Sequence, residues 1–238
     1  MKKSVLVVFG GQSSEHIVSC MSAINVIKNI DTERYDVTLI GITEEGKWLL
    51  VDSVEQIEDE SWRKNTTTAI LSPDATEKSV IVLKDGKAEM IRIDVVFPVL
   101  HGLWGEDGTI QGAIALSGIA LAGCGVLASA LCMDKDRSHK LVSLAGVRVP
   151  QGLVLESGYT LQQAVAFAEK VGYPMYVKPV KAGSSFGITR VESPDQLSKA
   201  IDGAFLYDNQ VILEENIQGI EVGCAVLGTE TLLTGAID

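Results

Sequence analysis

The chain has 238 residues, 46% hydrophobic and 21% charged, an ordinary globular balance with room for one large or two small domains. Its formal net charge of −11 argues against a nucleic-acid surface or an anionic-membrane surface and leaves open local lysine sites for anionic ligands. The four cysteines, Cys20, Cys124, Cys132 and Cys224, form no C-x-x-C pair, which predicts small buried apolar thiols in a reducing compartment rather than a metal or redox motif.

The opening MKKSVLVVFGG carries only a short apolar run, Val5–Phe9, ended by glycines, so a first strand over Ser4–Phe9 fits better than a signal peptide. An uninterrupted apolar strand is expected to be covered on both faces of a parallel sheet. It runs through Gly10-Gly11-Gln12-Ser13-Ser14-Glu15 into a helix over Ile17–Ile30, the opening of a βαβ unit. Tyr35–Ile42 alternates more and is placed nearer a sheet edge, followed by a short strand at Lys47–Val51. The acidic, polar segment Asp52–Thr68 reads as a surface excursion. Ser79–Leu83 and Lys87–Ile91 flank Asp85-Gly86, a strong hairpin signal.

A buried strand returns at Asp94–Leu100, before the loop His101-Gly102-Leu103-Trp104-Gly105-Glu106-Asp107-Gly108 and a helix from Thr109 to about Gly118. The stretch Gly118–Met133 is too short to span a membrane. A run of small residues between Leu121 and Met133 marks the boundary between residues 1–125 and 126–238. Helices are predicted at Leu127–Met133 and Asp134–Ala145, with Gly146 as cap and Pro150 as stop. The second unit follows as strand Pro150–Leu155, helix Thr160–Val171, strand Met175–Pro179, a glycine loop and strand Ile188–Val191. Ser193-Pro194-Asp195-Gln196 then opens a helix to Tyr207 with a capping box. Strands at Gln210–Glu214, Glu221–Leu227 and Thr231–Ile237 close the chain, which stops at Asp238 without a cap or polar tail and reads as unfinished.

One stretch organises the second unit, Tyr176–Gly187, YVKPVKAGSSFG. Its glycines allow close backbone approach, and its N–H groups, two hydroxyls, Lys178 and Lys181 suit a phosphate. Taken alone it reads equally well as a glycine hairpin with solvated lysines.

Four segments stand in order: GGQSSEHIVS (Gly10–Ser19), HGLWGEDGTIQG (His101–Gly112), ALCMDKDRSHK (Ala130–Lys140) and VKPVKAGSSFG (Val177–Gly187). With LEENIQGIEVGCAVLG (Leu213–Gly228) as a fifth, the chain resembles the D-alanine–D-alanine ligase family of ATP-grasp enzymes. The wording lies nearest the vancomycin-resistance branch that makes D-alanyl-D-serine. The resemblance implies an α/β fold, with an N-terminal parallel-sheet βαβ domain followed by the first α+β lobe of an ATP-grasp domain, the second lobe being absent. It implies a cytoplasmic bacterial ligase of peptidoglycan precursor synthesis that works as a homodimer through its N-terminal domain. Such an enzyme phosphorylates the carboxylate of D-alanine with ATP and Mg²⁺ (or Mn²⁺). The amine of a second amino acid, D-serine or D-alanine, then attacks the acyl phosphate. This chemistry rests on positioning and on charge stabilisation.

Carried over residue by residue, Glu15 matches the carboxylate that holds the first ammonium, although alone it reads as a helix-start acid. His101 lies beside that substrate, with Glu106 and Asp107 on the same loop. Lys135 and Lys178 match the lysines that reach the ATP phosphates. Ser184 matches the serine that orients the reacting groups, while Ser185 and Gly187 belong to the loop over the triphosphate. Glu214, Glu215, Asn216 and Ile217 match the adenine-reading linker, and Glu221 the ribose carboxylate. Glu215 departs from the family, where lysine is common. The metal ligands, the tyrosine partner of Ser184 and a transition-state arginine are expected beyond Asp238, so the chain as it stands is expected to be inactive or nearly so. The competing readings are a truncated, non-catalytic binding fragment and a dinucleotide-dependent oxidoreductase. The latter is disfavoured because Gly10-Gly11 does not continue into G-x-G-x-x-G.

Overall fold

The computed structural model describes residues 2–228 and 230–236. Three sheets organise these residues. The first has eight strands in the order β6-β5-β4-β3-β2-β1-β7-β8. They are β1 (Lys3–Gly10), β2 (Tyr35–Ile42), β3 (Trp48–Val51), β4 (Thr68–Leu71), β5 (Ser79–Lys84), β6 (Lys87–Arg92), β7 (Val95–Pro98) and β8 (Ala120–Leu121). Helices α1 (His16–Asn29), α2 (Val54–Glu58) and α3 (Thr109–Leu116) belong to the same unit, with a 3-10 turn at Ser61–Lys64.

As the apolar run of β1 demands, its neighbours β2 and β7 are both parallel to it, and Leu6, Val7, Val8 and Phe9 are almost wholly buried. Two buried clusters lie around it. One joins Leu6, Val8 and Ile40 to Ile110 and Ile114 of α3, and the other joins Val7, Phe9 and Leu39 to Ala23 of α1.

Three expectations change here. The first sheet is mixed rather than parallel, because β3 to β6 extend it in antiparallel sense. That extension puts β2 in the interior, between β1 and β3, and not near an edge. The segment 52–68 is more than a surface excursion. It folds into α2 and the 3-10 turn, and it delivers Trp62 into the core with no exposed surface. The Asp85-Gly86 hairpin forms as expected, both residues taking the positive φ that a tight two-residue turn needs.

Helices α4 (Val126–Met133) and α5 (Lys135–Leu144) lead into the second sheet. Asp134 caps α5, its side chain accepting from the Arg137 N–H at 2.9 Å. The second sheet has the order β11-β10-β12-β9, with β9 (Gly152–Glu156), β10 (Met175–Pro179), β11 (Thr189–Val191) and β12 (Gln210–Glu215), all pairs antiparallel. Helices α6 (Leu161–Val171) and α7 (Pro194–Ala204) contribute Ala164, Ala168, Leu197 and Ile201 to its core. The capping box expected at Ser193 is displaced by one residue, since Gln196 accepts from the Glu192 N–H; a comparable contact holds α6, where Gln163 accepts from the Thr160 N–H. A third sheet pairs β13 (Val222–Leu227) with β14 (Glu230–Ala236). The end of the expected last strand, Ile237, lies outside the described residues.

The cysteine expectation fails for three of the four thiols. Cys124, Cys132 and Cys224 are exposed, and only Cys20 is partly covered. Cys20 lies on α1 against the unit that holds Trp62, and burial pushes its thiol up to about 11. The other three are on or beside short elements that expose most of their residues. No helix among the described residues is long and apolar enough to cross a membrane.

Candidate functional site

Alternation along β10 sets the chemistry of the second unit. Met175, Val177 and Pro179 are buried on one face, so Tyr176 and Lys178 share the other. Directly opposite Tyr176 on β12 stands Glu214, which therefore projects to the same side. Lys178 Nζ donates to Glu214 Oε2 at 2.6 Å and lies 5.2 Å from the centroid of the Tyr176 ring.

Beyond this face opens a cavity of about 570 Å³. Lys178, Ser185, Glu214, Asn216, Ile217 and Glu221 line it, with Glu215 beside them. Seven predicted nucleotide residues, from two separate stretches of sequence, therefore meet at one opening. Tyr176, Pro150 and Ile220 complete the wall. The alternation of the strand was the signal for Tyr176, since it shares a face with Lys178. Glu215 has a structural partner: its carboxylate accepts from the Gln151 N–H at 2.9 Å and from Gln151 Nε2 at 3.0 Å. These bonds join β12 to Gln151, the residue before β9, and the Glu215 N–H also donates to the Gln151 carbonyl at 3.0 Å.

Lys135 is not in that cavity. It opens α5, and its Nζ donates to the carbonyls of Val180 and Ala182, at the base of the glycine loop. Burial lowers its pKa, and the neighbouring Lys178 charge lowers it further. Two cations this close to one loop form a site whose electrostatics favour an anion. Lys181, in contrast, turns away to Asp208, 3.7 Å from its carboxylate, while its N–H donates to the same side chain.

The glycine loop is strained where the sequence puts two serines. Ser184 (φ 44°) and Ser185 (φ 62°) are both left-handed, a conformation that costs a non-glycine residue about 1–2 kcal/mol. The turn is closed by the Phe186 N–H donating to the Gly183 carbonyl at 3.0 Å. Gly187 (φ 71°) is required on two counts, since a Cβ there would lie 2.6 Å from Tyr207 and 2.7 Å from Pro179. Gly187 is thus a packing residue of the loop, and Ser184 lines none of the described cavities.

The first unit presents its acid to this loop. Glu15 is 3% exposed, yet its carboxylate enters none of the described ion pairs. Its oxygens lie against Gly102, in the loop after β7, and against Gly183, where a Cβ would come within 3.0 Å of Oε2. Ser13 fixes the turn, its hydroxyl donating to the His101 carbonyl at 2.7 Å while accepting from the Glu15 N–H. No hydrogen bond or ion pair joins His101 to Glu15 among the described residues. Its Nε2 is 3.0 Å from the Ser22 hydroxyl, and its ring lines a small apolar cavity with Gly11, Gln12, Trp48 and Trp104. Glu106 accepts from the Gly102 N–H, and Asp107 accepts from the Trp104 and Thr109 N–H groups, so both acids hold the loop's shape.

Sequence reasoning missed His16, which is buried at the start of α1. Its Nδ1 meets the Gly11 carbonyl at 2.7 Å, and its ring stacks on Trp62. No group of three His, Cys, Asp or Glu side chains placed to hold a metal ion occurs among the described residues.

The family described as D-ala D-ala ligase N-terminus matches residues 4–124, and D-ala D-ala ligase C-terminus matches residues 141–237. The chain is 45% identical over 235 residues to a D-alanine–D-alanine ligase of Caldicellulosiruptor bescii, covering 96% of this chain and 64% of that one. It is 44% identical over 238 residues to the vancomycin B-type resistance protein VanB of Enterococcus faecalis, covering all of this chain and 67% of VanB. Among solved structures, the VanG D-Ala:D-Ser ligase from Enterococcus faecalis superposes with a TM-score of 0.86 at 45% identity, over 99% of this chain and 68% of that one. With about two thirds of its relatives' length represented, the chain belongs to the D-alanine–D-alanine ligase family.

Proposed function

We propose that the chain carries the nucleotide site and the first D-amino-acid site of an ATP-dependent ligase that joins D-alanine to a second D-amino acid. One observation carries this reading. The buried carboxylate of Glu15, bonded to no cation among the described residues, lies against Gly183 of the loop that Lys135 and Lys178 flank. Glu15 binds the ammonium of D-alanine. Lys135 and Lys178 hold the phosphates, with Ser185 over them and Gly187 shaping the loop. Residues 214–217 read adenine through their backbone, Glu221 takes the ribose hydroxyls, and Ser184 orients the D-alanine carboxylate for phosphorylation. His101 supports the loop beside that substrate.

Residues 1–125 form the substrate domain and 126–238 the first lobe of the ATP-grasp domain. D-serine is favoured as the second substrate and D-alanine is the alternative, because the motif wording and the likeness to VanG point to the same branch. The dipeptide product would serve peptidoglycan precursor synthesis and glycopeptide resistance in the bacterial cytoplasm. A homodimer through the N-terminal unit fits the exposed Ile17 and Met21 on α1.

The 238-residue chain is expected to bind ATP and to turn over little or none of it, since it spans only about two thirds of its relatives' length. The test is ATP-dependent phosphate release with D-alanine alone and with D-alanine plus D-serine, the dipeptide identified by mass, for this chain and for a chain of full family length. Release by the longer chain only supports the division of labour. Full turnover by the short chain would refute it, and no release by either would refute the ligase reading. Sedimentation equilibrium of the same samples reads the oligomer, and a monomer would remove the dimer.

A further inference from the structure

We propose that His139 is a positioning residue that sets how firmly Glu214 holds Lys178, and so couples nucleotide binding to the protonation of one imidazole. This inference rests on the nucleotide reading of the cavity beside β10 and β12. The starting point is an imbalance around Glu214. Its carboxylate is 2% exposed; Oε2 receives the Lys178 ammonium at 2.6 Å, while the buried Oε1 receives no hydrogen bond. His139 Nδ1 stands 3.3 Å from Oε1.

His139 lies on α5, one turn beyond Lys135, and its side chain is 32% exposed, so it exchanges protons with solvent. Glu214 on β12 is the one carboxylate within 4.0 Å of its ring among the described residues. Lys178 on β10 stands on the far side of that carboxylate, and Lys135, Asp136 and Lys140 share its helix. Lys178 and Glu214 also act on Lys135, with Asp134 and Asp208 further contributors, so the lysines and the acid form one electrostatic group.

The lysine that must reach a phosphate is already engaged by an acid. A nucleotide can take Lys178 only by weakening that contact. When the imidazole is neutral, Lys178 is the one ammonium paired directly with the buried carboxylate among the described residues and is held tightly. When it is protonated, the imidazolium shares the carboxylate charge, and Lys178 is freer to turn toward an anion in the cavity. Nucleotide affinity is therefore higher with the imidazolium than with the neutral ring. By linkage, bound nucleotide favours the protonated ring by the same factor.

Two substitutions fix the two states. His139→Asn keeps a neutral donor near Glu214 Oε1, and His139→Lys keeps a permanent charge there. ADP affinity of the complete 238-residue chain is measured by calorimetry from pH 6 to pH 8. The wild type is expected to lose affinity by about three- to tenfold over this range relative to His139→Lys, a factor matching a partly exposed charge contact. His139→Asn should stay at the weaker level throughout. Identical pH profiles for all three proteins would overturn the proposal. A second measurement needs no nucleotide: the ring resonances of His139 are titrated in the wild type and in Lys178→Met. With Lys178 gone, Glu214 has only the imidazole, and the His139 midpoint should move upward. An unmoved midpoint would overturn the coupling even if ADP binds well. A shifted midpoint without ADP binding would uphold the coupling and refute the nucleotide reading instead.

Discussion

Trp62→Ala is expected to destabilise the first unit by about 3–5 kcal/mol, the usual loss for deleting a fully buried indole. For a protein of this size that corresponds to a fall in melting temperature of roughly 10 °C. The ring is wholly buried between elements distant in sequence. Phe9 meets it edge-on at 5.2 Å from β1, and His16 stacks on it from α1 at 6.1 Å. Gly41 of β2 has no room for a Cβ because the indole lies on it. The void cannot close by a small shift, since three of its walls are a strand backbone, a helix start and an aromatic ring. Arg63 lies over the other side of the indole, 5.2 Å from its centroid. The loss also reaches the site. His16 loses its stacking surface and with it the bond that fixes the Gly11 carbonyl, so the turn leading to Glu15 loosens. Trp104→Ala provides the contrast, because that side chain is half exposed and its removal leaves no closed void. Thermal unfolding of the two variants tests the argument, and equal losses would show that Trp62 is not the keystone of its unit.

Trp62 also marks where the sequence stopped being readable. Its segment is acidic and polar, and nothing local says that one indole in it is buried. The neighbours that bury it come from β1, β2 and α1. The same reason explains β2, whose alternating pattern suits an edge strand but which lies inside the sheet because β3 pairs with it. Features with local causes were legible. The apolar run of β1 and the Asp85-Gly86 turn each follow from a few adjacent residues. At the site, the glycine loop and both lysines were visible through their motifs, while Tyr176, which shares a face with Lys178 by strand alternation, went unread. Two relations were not visible, the contact of Glu15 with Gly102 and Gly183 and the approach of His139 to Glu214. Both join loops or elements far apart in the chain, and no pattern within either partner announces the other.

The second large effect is expected at one of those relations. Gly102→Ala should reduce D-alanine affinity by at least about tenfold, the equivalent of one lost charge-assisted contact. Two costs combine at this position. Gly102 has φ 70°, where alanine is disfavoured by about 1–2 kcal/mol. A Cβ would also lie 3.0 Å from Glu15 Cδ and overlap Oε2, so the carboxylate must leave its place or the loop must move. Neither movement is free. The loop is held by the Glu106 carboxylate on the Gly102 N–H and by Ser13 on the His101 carbonyl, and on its other side Glu15 meets Gly183. Displacing the acid therefore disturbs both walls of the proposed ammonium site at once. Gly86→Ala separates the two costs. That glycine has a similar φ of 73° but nothing within 4 Å of its Cβ position, so it carries the backbone penalty alone. The expected pattern is a small loss of stability for Gly86→Ala, a larger one for Gly102→Ala, and a loss of D-alanine binding for Gly102→Ala only, read by thermal unfolding and calorimetry. Unchanged binding in Gly102→Ala would mean that Glu15 does not hold the amino acid, and the first-substrate assignment would fall with it.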